Sequence, residues 1–289
     1  MKVKKIGSQN IFEIIRTSFI LCKHSLVKTI PFSLIYLVAS TILVATFFDE
    51  LSEVDHKFLA QFSFNLLFSG KYLLLASKIT LLIMIYLATH ATIMYVLNRS
   101  YCNENVHFTQ AMKVGYKKVF IQLLICILDL VVLVVGPILL ILIFICSFPN
   151  IITDTFIHFK YLEFAIYLVF ILASIPGSVI FIYLMFASYQ AIIEEDNIID
   201  SVKNSFNLIV GNWWYMLGAF LIIYAASNTL PYASNFVFSH FSIKDRVYVN
   251  FFLKNSLPVI FGTPWIHAFM ITILYNLRAK KRASLEVIS

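Results

Sequence analysis

Charge is what this sequence has least of. Of its 289 residues only 13% are Asp, Glu, Lys or Arg, about half the share usual in a soluble domain. A buried core cannot absorb a deficit of that size. A water-soluble globular protein is excluded, and the class is integral membrane protein. Paired cysteine is lacking as well. Cys22, Cys102, Cys126 and Cys146 form no Cys-x-x-Cys pair, and no histidine stands near them at zinc spacing. All four read as free thiols, and no metal site is expected. Catalytic signatures are missing too. There is no G-x-S-x-G elbow, no H-E-x-x-H helix, no Walker loop and no dinucleotide glycine pattern. The acidic turn Glu194, Glu195 and Asp196 stands where a helix N-terminus is expected, and acids there favour the helix dipole. A non-enzymatic protein without a cofactor is therefore expected. The basic start, MKVKKIGSQN, is not followed at once by an apolar run with a small-residue cleavage site, so a cleaved signal peptide is not expected.

What is present is hydrocarbon. The chain is 60% hydrophobic with a mean hydropathy of +0.86. A spanning helix needs about 20 mainly apolar residues. Six stretches qualify, roughly 26–48, 73–97, 119–147, 162–190, 213–235 and 257–277. The segment 58–69 is too short and polar to span and reads as an outer-surface helix. Basic residues orient the bundle. Lys2, Lys4, Lys5, Arg16, Lys23 and Lys28 precede or open the first span. Arg99, Lys113, Lys117 and Lys118 lie between the second and third, and Arg278, Lys280, Lys281 and Arg282 follow the sixth. All three sets fall on one side, which the positive-inside rule makes the cytoplasm, with both termini there. The loop at 236–256 runs against the rule, with Lys244, Arg246 and Lys254 on the expected outer side. The net charge of +7 then reflects contact with anionic membrane lipid rather than nucleic acid. A membrane-protein partner is left open.

Three short strings share one pattern. IIRTSF at 14–19, AMKVGY at 111–116 and SVKNSF at 201–206 each carry an aliphatic residue (Ile15, Met112, Val202) and then a base (Arg16, Lys113, Lys203). A small residue follows (Ser18, Gly115, Ser205), then an aromatic one (Phe19, Tyr116, Phe206). Each copy precedes a pair of spans, and Tyr95, Tyr189 and Tyr275 close the pairs. Such a period marks an internal repeat, with units at about 9–100, 105–192 and 196–282. Each unit is an interfacial helix, a span going out and a span returning, related to the others by an axis along the membrane normal. In the third copy Ile198, Ile199, Val202, Phe206, Ile209 and Val210 form an apolar stripe at helical spacing. A helix of that kind lies in the interface, and Trp213 and Trp214 anchor the headgroup level where the fifth span begins. The alternative is that 197–210 simply prolongs that span into water. The expected fold is an all-α polytopic bundle, one domain over 1–289.

The run from Ser174 to Leu221 resembles the YciC-like family of bacterial inner-membrane proteins, itself similar to the membrane domain of some glycerophosphodiester phosphodiesterases. The shared features are Pro176-Gly177 early in a long aliphatic helix and the acidic turn at Glu194–Asp196. A serine-containing amphipathic helix then ends near Gly211, Asn212 and Trp213. About fifty residues carry the likeness. It implies a helical fold in the bacterial inner membrane and no activity.

Two signals remain. Asp129 lies eleven residues into the third span, and a carboxylate at mid-bilayer costs roughly 3 kcal/mol on insertion scales, so it should face the bundle interior. His90 and His267 lie at comparable depth, and the three form a candidate polar cluster able to carry protons or a cation. The plainer reading is that Asp129 only holds helices together. Gly136-Pro137, Pro176-Gly177 and Gly262-Thr263-Pro264 interrupt spans, as in transporters with broken helices and in ordinary kinked membrane helices. The function expected is a structural or lipid-interacting membrane module. The alternative is a small proton- or cation-coupled transporter using Asp129 and the kinked spans.

Overall fold

Long uninterrupted apolar runs make long helices here, because every backbone polar group in lipid must be satisfied within its own segment. The computed structural model describes residues 9–52, 70–135, 137–138, 142, 175–238 and 247–288. Helix α1 runs over Ile11–Ser52, α2 over Gly70–Tyr101 and α3 over Phe108–Leu130, where it passes into a π-helical segment, Val131–Val135. Helix α4 covers 175–184 and α5 covers Ala187–Ile193. They are followed by α6 (Ile198–Ile209), α7 (Trp213–Phe238) and α8 (Val247–Leu257). A second π-helical segment, Pro258–Gly262, leads into α9, Thr263–Ile288. No strand occurs among the described residues.

Five stretches of the described residues are long and apolar enough to cross a membrane. They are Ile11–Thr46, Ala76–Tyr101, Ile175–Ile193, Trp213–Phe238 and Val249–Ser284. Of the six expected spans, the one at 119–147 is described mainly up to Val135, where it is helical throughout. The first part of 162–190, the segment 58–69 and Gly136 lie outside the described residues.

The interfacial helices differ from expectation. The first copy of the pattern is not a separate helix, because α1 is continuous for 42 residues. At 1.5 Å per residue it is about 63 Å long, twice the hydrocarbon thickness of about 30 Å. The second copy lies inside α3 in the same way. Only the third, α6, stands apart from the span after it. The reason is local. Gly211 adopts φ +81°, a left-handed conformation open to glycine, and Asn212 N–H turns back to the Ile209 carbonyl. His24 and Ile121 stand at the same offset in the other two copies, and neither favours that conformation. The expected outer loop at 236–256 also differs. Its second half is α8, which continues through the π segment into α9.

The π segments sit at the glycine and proline breaks. Pro137 and Pro264 have no N–H to close the preceding turn, and a widened turn absorbs the loss. Thr263 N–H accordingly reaches back five residues to the Pro258 carbonyl.

The chain forms two compact units, Met1–Phe120 with Gly218–Ser289, and Ile121–Leu217. In the first, α1, α2 and α9 pack against one another, and α8 lies on α1. The core is concentrated at the end carrying Arg99 and Arg278. Residues 91–98 of α2 and 267–274 of α9 are buried on every side, whereas Leu74, Ile79, Leu81 and Ile83 of α2 are exposed. The buried face of α1 carries small polar residues, Ser18, Ser25, Thr29 and Ser33, fully enclosed beside Ile14, Phe32 and Leu37. Such residues allow the close helix contact that drives packing in lipid. In the second unit, α5 and α6 pack together, and Ile125 joins Ala187 and Ala191 in the core.

Candidate functional site

The small residue of each repeated string is a point of close packing. Ser18 and Ser205 are fully buried. At Gly115 a Cβ would fall inside van der Waals contact of Thr92 Oγ1 and 2.7 Å from the Ala88 carbonyl oxygen, so only glycine fits against α2. Ser205 has a further task. Between α4 and α5 the helix breaks at Met185 and Phe186. The Phe186 N–H that the break releases donates to Ser205 Oγ at 3.2 Å, and the hydroxyl donates to the Tyr183 carbonyl at 2.6 Å. One hydroxyl thereby satisfies two backbone groups. The expected apolar stripe of α6 is turned slightly. Ser201, Ser205, Leu208 and Ile209 are buried, while Ile199 and Val210 are exposed. Small serines permit close approach and face the neighbouring helix together with Ile198, Val202, Leu208 and Ile209.

A string that pattern reading passed over lies on the helices that end the first unit's core. Ala88-x-x-x-Thr92-Ile93-Met94-Tyr95 on α2 matches Ala268-x-x-x-Thr272-Ile273-Leu274-Tyr275 on α9. Each threonine donates to the alanine carbonyl four residues back, at 2.7 and 2.8 Å. Each tyrosine carries an arginine over its ring, Arg99 at 5.3 Å and Arg278 at 5.7 Å. Tyr95 OH accepts from Gln110 and Tyr275 OH donates to Asn98 Oδ1. The signal was available in the sequence as the shared Thr-Ile-x-Tyr ending.

Above these tyrosines sits a histidine pair. His267 Nε2 lies 2.8 Å from His90 Nδ1, with the rings nearly perpendicular. One nitrogen holds the proton and the other the lone pair. Tyr86, one turn before His90, lies 3.9 Å from its ring at a 44° tilt, and Tyr36 of α1 meets Tyr86 edge-on at 5.4 Å. A row of four rings therefore leads from half-exposed Tyr86 and Tyr36 to buried His267. Of the expected polar cluster the structure brings His90 and His267 together. Asp129 belongs to the second unit. It is half-buried on α3, and its Oδ1 is enclosed with no hydrogen-bond partner among the described residues. One turn beyond it, a Cβ at Gly177 would lie 2.7 Å from the Val132 carbonyl oxygen. Gly177 thus lets α4 touch the first π segment, and Pro176 precedes it at the start of α4. Gly262 plays the matching part beside Leu230 of α7, and Pro264 is buried in the first turn of α9. Pro137 is buried.

Trp213 and Trp214 open α7 with rings 4.9 Å apart, and Trp214 is 79% exposed. Cys22, Cys102 and Cys126 are free thiols; Cys146 lies outside the described residues. No three His, Cys, Asp or Glu side chains converge on a metal-sized site among the described residues. Compared with protein families, curated proteins and solved structures, the chain matches none.

Proposed function

We propose that this chain is a non-enzymatic, multi-pass protein of the bacterial inner membrane that acts as a structural, lipid-interacting module. The observation that carries the reading is the one-sided core. Helices α1, α2 and α9 pack tightly only at the arginine-bearing end, and the opposite part of α2 presents Leu74, Ile79, Leu81 and Ile83 outward. Side chains of that kind are solvated by acyl chains. The buried hydroxyls of Ser18, Thr29, Ser40, Thr92 and Thr272 bond to carbonyls of their own helices. In this reading both termini are cytoplasmic and six spans form three two-span units. The chain is a YciC-like protein, and each repeated string begins a unit. Support comes from the burial of Ser18, Gly115 and Ser205 at equivalent places. Purification followed by mass spectrometry of co-purifying lipids and proteins tests the role. Lipids enriched over their share of the membrane are expected. A lipid complement identical to the bulk membrane sinks the reading.

A second reading, a proton- or cation-coupled permease, is favoured by the His90–His267 bond and by the unpartnered Asp129 oxygen. It requires that Asp129→Asn fail to rescue a deletion phenotype that the wild-type gene rescues, while folding normally. Full rescue removes it.

A further inference from the structure

One turn of α2, the middle of α1 and the start of α3 enclose a groove of about 190 Å³. Its floor is apolar and fixed. Phe32 and Val96 are each 2% exposed, and Phe32 stacks on Phe108 at 4.8 Å with the rings 6° from parallel. Pro31 forms another wall. Lacking an N–H, it leaves the Val27 carbonyl at the groove without its helical donor. One side lies open, for Val27 and Phe108 are exposed. The polar side chains of the lining are basic. The Lys28 and His107 side chains are both exposed, and neither side chain makes a hydrogen bond or ion pair among the described residues. No carboxylate among the described residues lines the groove.

Size and level narrow the occupant. Sites that enclose a whole small molecule measure about 300–1,000 Å³, so this groove holds only part of an amphiphile. It also lies at a boundary. Val96 stands one turn before Arg99, and Lys28 is the last base before α1 enters its apolar run. Long basic side chains at that level reach the headgroups. We propose that the groove seats part of one acyl chain of an anionic phospholipid, with the lipid phosphate at Lys28 and His107. The inference rests on the lipid-interacting reading above and assigns that role a place.

The test uses the full-length protein, delipidated in neutral detergent and titrated separately with phosphatidylglycerol and phosphatidylcholine. Native mass spectrometry counts bound lipid. Wild type should bind phosphatidylglycerol more tightly than phosphatidylcholine. Lys28→Gln should weaken phosphatidylglycerol by about fivefold, the typical effect of one base near an anionic lipid, and weaken phosphatidylcholine, whose choline offsets its phosphate charge, by less. Val106→Trp, which fills the groove from its rim, should weaken both. Lys203→Gln, on α6, should change neither. Lys28 is exposed and Val106 half-buried in a turn, so thermal unfolding should stay at the wild-type value and separates lost binding from lost folding. Phosphatidylglycerol binding that ignores both Lys28→Gln and Val106→Trp overturns the groove alone. An equal loss with Lys203→Gln overturns it too, by showing diffuse surface charge. Absence of binding by either lipid defeats the lipid-interacting reading itself.

Discussion

Replacing Gly115 by alanine should destabilise the protein, although alanine is the better helix former. In a free helix the exchange gains about 1 kcal/mol. Here the new methyl group meets Thr92 Oγ1 and the Ala88 carbonyl oxygen. Neither yields easily. The threonine hydroxyl is held by its bond to that same carbonyl at 2.7 Å, and the carbonyl belongs to a helix buried on all sides from residue 91 to 98. Overpacking of this kind costs about 1–3 kcal/mol, so the net loss should be about 1 kcal/mol. Gly218→Ala supplies the reference. Gly218 also sits within a helix, and a Cβ there meets nothing within 4 Å. That variant should gain up to about 1 kcal/mol. The difference between the two variants, about 2 kcal/mol, cancels helix propensity and isolates the clash. Thr92→Ala should recover only part of the loss in a double-mutant cycle, because the backbone contact remains. Thermal unfolding in detergent, followed by tryptophan fluorescence, reads the wild type and all four variants. Equal stability of the two alanine variants would refute the close-packing argument at Gly115 and weaken the equivalence of the three small residues.

Ser205→Ala should cost about 1–3 kcal/mol, because it orphans the Phe186 N–H and the Tyr183 carbonyl at the α4–α5 break; a neutral result by the same unfolding assay speaks against that repair. Asn197→Ala should cost about 1 kcal/mol by removing the cap that accepts from Asp200 N–H, and proteolysis after α5 should quicken. His90→Phe and His267→Phe should each destabilise, and the double variant should lose less than their sum, with a coupling of roughly 1 kcal/mol for the bond between them. Strict additivity means the pair is not a bond in the folded protein.

How much was legible in the sequence depends on what sets each feature. Five long apolar helices follow from composition and were read directly, since few other structures satisfy the backbone in lipid. The His90–His267 pairing was approached by counting depth along two helices, which gives height but not azimuth. Depth placed Asp129 at the same level, yet it belongs to another unit. The extent of α1 was misjudged because a basic, amphipathic start resembles an interfacial helix whether or not it continues into the span. Only a terminator such as Gly211 distinguishes the two, and the first two copies lack one. The row of Tyr36, Tyr86, His90 and His267 was invisible, because it depends on which faces of α1, α2 and α9 meet.

Helix α1 packs on α9, which follows it by more than 200 residues. Gln9 N–H donates to Asn276 Oδ1 across 267 residues of sequence. At synthesis rates of about 5–20 residues per second, that partner arrives on the order of tens of seconds later. Through that interval α1 sits in the bilayer with a stripe of serine and threonine facing lipid. Ser18, Thr29 and Ser40 meet the delay by donating to carbonyls of α1 itself, at Ile15, Leu26 and Leu37. These three hydroxyls are thereby satisfied in hydrocarbon before α9 arrives, whereas Ser25 and Ser33 Oγ have no partner among the described residues. A nascent chain halted before α9 should insert its early helices and remain unassembled, exposed to membrane proteases until the C-terminus is delivered.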